Sequence, residues 1–161
     1  MSLFIFAAHF VSMDKSLKEQ FMRLAITEAK QAYDKQEIPV GAIVVYKNIV
    51  IAKAHNLVET LHDPTAHAEM QAITAATNYL GGKYLTDCTI YVTLEPCAMC
   101  ATAIGLSKAP ELIYGASDEK MGYTLVQGKL LHPKTSVEKG ILESECKELL
   151  LDFFRSKRLK V

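Results

Sequence analysis

The chain reads as a single α/β layered domain with a mixed sheet. Three observations predict this. Its 161 residues are the length of one ordinary domain. Half of them are hydrophobic, enough to bury a sizeable core. An opening hairpin pattern is followed by strand–helix–strand–helix alternation, which sets helices against a sheet that mixes parallel and antiparallel pairs.

Residues 1–13 read as an N-terminal extension ahead of a domain spanning residues 14–161. The stretch is apolar (Leu3, Phe4, Ile5, Phe6, Phe10, Val11), with no basic segment before it, and is too short to span a bilayer. It reads as an extended start, with Met13 the natural one, in preference to a signal peptide. A first helix is expected from Asp14 or Ser16 to Asp34. Phe21, Leu24, Ala25, Ala29 and Ala32 fall on one face, and Ser16 with Glu19 forms a capping box. Pro39 then opens the β-branched run Val40-Gly41-Ala42-Ile43-Val44-Val45-Tyr46. Lys47-Asn48 turns the chain and residues 49–54 return, an antiparallel hairpin.

Asp63-Pro64-Thr65 signals a helix start, predicting a helix over residues 66–78 that Gly81-Gly82 stops. Thr89-Ile90-Tyr91-Val92-Thr93 reads as a short buried strand. A second helix starts at Glu95-Pro96-Cys97 and ends near Gly105. Glu111-Leu112-Ile113-Tyr114-Gly115 is another strand. Residues 116–137, rich in Gly, Lys and Pro, read as a loop. The final helix covers residues 144–158, with Cys146, Leu149, Leu150, Phe153 and Phe154 on or near its apolar face. No internal repeat or low-complexity stretch is present.

Eighteen basic residues balance eighteen acidic ones. No global field favours nucleic acid, so any RNA contact must rest on a local patch. The segment Arg155-Ser156-Lys157-Arg158-Leu159-Lys160 is such a patch. The four cysteines do not form a secreted disulfide framework, which points to a reducing, cytoplasmic setting. Cys88 and Cys146 read as buried small hydrophobes. His9, His55 and His132 have no partner visible in sequence.

Two strings carry chemistry: His67-Ala68-Glu69 and Pro96-Cys97-Ala98-Met99-Cys100. One histidine and two cysteines hold zinc with three protein ligands and leave the fourth position for water, the arrangement of a catalytic site. Both strings fall at expected helix N-termini, where the helix dipole favours thiolates. Cys97 and Cys100, three apart, share one face of a helical turn. Glu69 is not needed as a ligand and can accept a proton from zinc-bound water, whose pKa the metal brings towards neutrality. Taken singly, an HxE string is common, and a CxxC pair can be redox-active or structural. A closed structural zinc would need a fourth donor, for which His62 is the candidate. However, Asp63-Pro64 breaks the chain between His62 and His67, and the His pair precedes the Cys pair, reversed from a finger.

The pairing of HxE with PCxxC is the signature of the zinc nucleobase deaminases. Further strings narrow it: Ile38-Pro39-Val40-Gly41-Ala42, His55-Asn56, His62-Asp63-Pro64-Thr65-Ala66, Tyr91-Val92-Thr93-Leu94-Glu95, Gly115-Ala116-Ser117-Asp118-Glu119-Lys120 and Asp152-Phe153-Phe154-Arg155. Over nearly all of residues 18–158 the chain resembles the bacterial tRNA-specific adenosine deaminases. The resemblance implies a three-layer α/β/α cytidine-deaminase-like fold with a central mixed sheet of about five strands. It also implies a homodimer, one zinc per subunit, and adenosine-to-inosine conversion at the wobble position of a tRNA anticodon arm. His67, Cys97 and Cys100 match the zinc ligands, and Glu69 the proton shuttle between the attacking water, ring N1 and the leaving ammonia. Asn56 matches a purine-binding amide, suited as donor and acceptor; its alternative role is a turn residue closing the second strand. Asp118 and Lys120 match positions near bound RNA, or are plain solvated charges. One departure is visible. Gly122-Tyr123-Thr124-Leu125 replaces the small residues usual there, and the loop before His132-Pro133 is shortened. Tyr123 could stack on a splayed base or simply pack.

Two other functions fit the same strings: a free-base or nucleoside deaminase acting on guanine or cytosine, and a non-catalytic RNA-binding protein with structural zinc. The basic end of the chain favours RNA, because phosphate attraction dominates nucleic-acid affinity.

Overall fold

A computed structural model describes the backbone of residues 3–159 and the side chains of residues 14–159. The side chains of the expected extension, residues 1–13, and Lys160 of the basic segment lie outside the described residues. The elements are α1 (Leu3–Asp34), β1 (Gly41–Tyr46), β2 (Ile49–His55), α2 (Val58–Leu61), α3 (Ala68–Leu80), β3 (Cys88–Leu94), α4 (Ala98–Ser107), β4 (Glu111–Ala116), a 3-10 turn (Tyr123–Leu125), β5 (Ser136–Lys139) and α5 (Glu143–Arg158).

The sheet has the order β2-β1-β3-β4-β5. β1 is antiparallel to β2 and β3, whereas β3, β4 and β5 run parallel. The expected mixed five-stranded sheet is therefore present. Its two faces follow from the period-two alternation of a strand. Ala42, Val44, Ile90, Val92, Leu112 and Tyr114 face one way, packed with Ala68, Ala72 and Ala76 of α3 and Ile104 of α4. Ile43, Val45, Tyr91 and Ile113 face the other, packed with Phe21, Met22, Ala25 and Ile26 of α1 and Cys146 of α5. This is the three-layer α/β/α arrangement. Each large apolar side chain buried this way contributes about 1.5–3 kcal/mol. The alanines of α3, spaced four apart, let that helix lie close to the sheet. Cys88 and Cys146 are buried, as expected.

Three expectations are corrected. The helix start at Asp14 or Ser16 falls inside α1: no Gly or Pro interrupts residues 3–16, so Ser16 is a helical interior residue and makes no capping box. β5 lies within the segment expected as loop. It is a mostly exposed edge strand, held by its ladder to β4 and by Glu138, whose carboxylate accepts from Lys18 of α1 at 2.6 Å. Asp63 does not cap α3, which starts later. Its Oδ1 accepts the backbone N–H (2.8 Å) and hydroxyl (2.7 Å) of Thr65, folding a turn ahead of the helix. Among the described residues no helix is long and apolar enough to cross a membrane.

Candidate active site

The site lies at the carboxyl ends of β3 and β4, where helices start, the usual ligand position of an α/β sheet. His67 is the N-cap residue of α3 and Cys97 that of α4, both with extended backbone. Cys100 is in the first turn of α4. The backbone N–H of His67 donates to Thr65 O at 2.7 Å, which fixes its approach. The three donor atoms lie within 4.8 Å of one another. His67 Nδ1 is 3.7 Å from Cys97 Sγ and 3.6 Å from Cys100 Sγ. A tetrahedral zinc with its usual Zn–N and Zn–S bond lengths has an N···S edge of about 3.6 Å. The donors therefore fit one zinc ion in both chemistry and spacing. His62, the candidate fourth donor, is exposed and stands outside this group.

The electrostatics agree. The Cys97 thiol is pushed down to about 4 by hydrogen bonding with Cys100 and then His67, at a helix N-terminus that favours the thiolate. His67 is raised, chiefly by its contact with Cys97. Cys100 is pushed up by its hydrogen bond to Cys97 and by burial. A divalent cation takes the place of the protons that these groups share.

Glu69, in the first turn of α3, is 4% exposed and lies outside the donor group. Burial pushes its carboxyl up to about 7, the range suited to a group that accepts and returns a proton near neutral pH. His67, Glu69 and Cys97 line a cavity of about 990 Å³. Asn56, Asp118 and Lys120 line it too, so all seven residues singled out from sequence come to one place, with Cys100 in the donor triad behind the wall. Asn56 is 6% exposed, and its backbone N–H donates to Val40 O at 3.1 Å. Asp118 Oδ1 accepts the N–H groups of Lys120 (2.9 Å) and Met121 (3.1 Å), so part of its carboxylate shapes its own loop. Tyr123 is half-buried and packs against the core on the α3 face, its packing reading.

Residues 15–116 match the family model described as the cytidine and deoxycytidylate deaminase zinc-binding region. The tRNA-specific adenosine deaminase of Aquifex aeolicus is 47% identical over 146 residues, covering 88% of this chain and 96% of that protein. The tRNA-specific adenosine deaminase of Bacillus subtilis is 44% identical over 147 residues, covering 88% and 91%. The chain belongs to the cytidine and deoxycytidylate deaminase family, on the tRNA-specific adenosine deaminase branch. A solved structure from biochemical and structural studies of A-to-I editing by tRNA:A34 deaminases at the wobble position of transfer RNA superposes with a TM-score of 0.76. It has 41% identity and covers 81% of this chain and 99% of that one. The guanine deaminase of Bacillus subtilis has a lower TM-score, 0.61, at 29% identity, covering 87% and 92%.

The deaminase site has further parts that sequence reasoning missed. Glu95, 4% exposed, accepts the N–H groups of Asp118 (3.0 Å) and Thr124 (3.1 Å) and the Thr124 hydroxyl (2.7 Å). It binds the loop after β4 to the segment that carries Cys97. Glu37, 1% exposed, accepts the N–H groups of Glu59 (3.2 Å) and Thr60 (2.6 Å), capping α2 from outside that helix. Lys147, Phe153, Phe154 and Lys157 bring α5 to the cavity wall. Glu95, between Leu94 and Pro96, is a charged residue at the end of a buried strand and could have been singled out, whereas Glu37 follows the polar run Asp34-Lys35-Gln36 and gives no such signal. Partners more than twenty residues away leave no local spacing to read.

Proposed function

We propose that this protein hydrolytically deaminates adenosine to inosine at the wobble position of a tRNA anticodon arm. The observation that carries the reading is the juxtaposition at one cavity of a His67–Cys97–Cys100 triad spaced as a tetrahedron edge and a buried carboxylate outside it. His67, Cys97 and Cys100 hold zinc. When bound, zinc supplies Lewis acidity that lowers the pKa of water. Glu69 takes the proton of the attacking water and delivers it to ring N1 as C6 becomes tetrahedral. It then takes the remaining proton from the new C6 hydroxyl and passes it to the departing amine as the C6–N bond breaks, so that adenosine and water become inosine and ammonia. Asn56 holds the purine through its amide, which both donates and accepts.

The cavity is larger than one base requires, which suits a flipped nucleotide with its neighbours. Lys120, Lys147 and Lys157 on its wall suit phosphates. Asp118 and Lys120 contact the flanking nucleotides. The substrate class rests on the likeness to the tRNA-specific adenosine deaminases. The homodimer implied by the sequence resemblance is kept as part of the proposal, and four free cysteines suit the cytoplasm.

The test is mass spectrometry of an arginine-type anticodon stem-loop after reaction, beside free guanine, cytosine and cytidine. The expected result is a rise of about one dalton at the wobble adenosine, from replacing an amino group by oxygen. Deamination of free bases alone would overturn the RNA reading.

A further inference from the structure

Beside the cavity, three side chains that have no part in the chemistry are joined in a line, with Lys35 on the cavity wall and His55 and Glu28 behind it. His55, the last residue of β2, has Nδ1 2.9 Å from Glu28 Oε2 and Nε2 2.9 Å from Lys35 Nζ. The Glu28 and His55 side chains are each 11% exposed, whereas Lys35 is exposed and lines the cavity. The donor inventory fixes the direction of this line. A lysine ammonium has only donors, so His55 Nε2 must accept. The ring proton then sits on Nδ1 and is donated to Glu28. The remaining Glu28 oxygen accepts from Gln31 Nε2 at 3.3 Å. The His55 carbonyl accepts from Gln71 Nε2 (2.8 Å), which also reaches Ala66 O (3.1 Å) beside His67. The whole line is thus clamped to the segment that carries the metal donor.

A buried carboxylate is costly unless its hydrogen bonds are satisfied, and nothing in the catalytic chemistry needs one at Glu28. Its effect is at the other end of the line, where a flexible surface lysine is held in one place by an imidazole that is itself oriented. Two of the three Lys35 N–H donors remain for a ligand. The neighbouring residue, Gln36, accepts from Lys157 Nζ at 3.1 Å, so a second cavity lysine is anchored beside it. Of the cavity carboxylates, Glu37 and Glu95 accept backbone N–H groups, and among the described residues neither pairs with Lys35.

We propose that Glu28, His55 and Lys35 form a positioning relay that holds the Lys35 ammonium on the cavity wall as a phosphate contact for the RNA substrate. The proposal rests on the RNA reading above. Holding the lysine in advance removes much of the ordering cost that a free lysine meets on binding.

The test compares wild type, Lys35→Gln, His55→Leu, His55→Gln and the double variant Glu28→Leu/His55→Leu. Readouts are kcat, KM and the salt dependence of binding to the anticodon stem-loop, with zinc content and Tm as controls. Lys35→Gln is expected to raise KM about three- to fivefold, the weight of one exposed ion pair, with kcat unchanged. It should also lower the slope of log K against log salt by about 0.7. The double leucine variant, which replaces a buried pair by apolar groups, should show the same losses, and adding Lys35→Gln to it should change nothing more. His55→Leu should lose the contact. His55→Gln, whose amide can donate to Glu28 and accept from Lys35, should retain it and covers the case in which the double variant does not fold. Wild-type values in Lys35→Gln, or in His55→Leu, would overturn the relay while the RNA reading stood. So would fully additive losses for Lys35→Gln and the double variant. A wild-type protein that neither binds nor deaminates the stem-loop would overturn the RNA reading, and the relay with it.

Discussion

The Glu95 carboxylate accepts the backbone N–H of Asp118 at 3.0 Å, and so couples the loop after β4 to the turn that presents Cys97. Two further hydrogen bonds from Thr124 complete the carboxylate. The cavity edge and the metal site are thereby built on one buried side chain.

Glu95→Gln leaves one donor facing an amide N–H. The expected cost is about 1–3 kcal/mol of stability. Thermal unfolding should show the loss, and kinetics on the stem-loop should show KM rising more than kcat falls, because the loop and not the triad is loosened.

Gly41 lies where α1 crosses β1. A Cβ there would run into Ala25 O, and would stand 2.5 Å from Ala29 N and 2.9 Å from Glu28 Cβ. Backbone atoms cannot move aside as a side-chain tip can. Gly41→Ala is therefore expected to push α1 off the sheet at a cost of about 1–3 kcal/mol or more, read as a fall in the denaturant midpoint.

Glu37 gives the fold an acid-sensitive element. Burial raises its carboxyl, but the N–H groups of Thr60 and Glu59 and the Thr60 hydroxyl outweigh burial and hold it below its ordinary value of 4.5. The unfolded chain then binds the proton more readily than the folded one. This contribution to stability is fully present above the ordinary value and is lost as pH falls through the lower folded one. Unfolding free energies measured from neutral pH down through that window should fall less steeply for Glu37→Gln than for wild type. A parallel pH dependence would rule out this role.

Zinc removal should destabilise the fold, since the triad joins the starts of α3 and α4. With free zinc at about 1,000 times its Kd, binding contributes about 4 kcal/mol. Chelation is expected to lower Tm on the order of 10 °C, and Cys97→Ala should behave like chelated wild type.

Much of this was legible in the chain because it is local. Alternation in Ala42–Val45 marks both faces of β1, and the Cys97–Cys100 spacing marks one helical turn. The His67-Ala68-Glu69 and Pro96–Cys100 strings resemble a known family, and that resemblance implied the three layers and the partners of His67. What stayed hidden is non-local. Ser136–Lys139 is polar and mostly exposed, so only its ladder to β4 makes it a strand. Glu37 caps a four-residue helix that starts twenty-one positions later. Glu28 stands among Phe21, Ala25, Ala29 and Ala32 on the buried side of α1. A carboxylate departs from that apolar face, but its partner, His55, comes from β2, twenty-seven positions on.

The most direct test is zinc stoichiometry and stem-loop deamination in Glu69→Ala. The expected result is one zinc per chain, a wild-type fold, and activity reduced by about 10²–10⁴-fold or more, because Glu69 is proposed to move protons and lies outside the metal-donor group. Loss of zinc from this variant, or retained deamination with zinc bound, would contradict it.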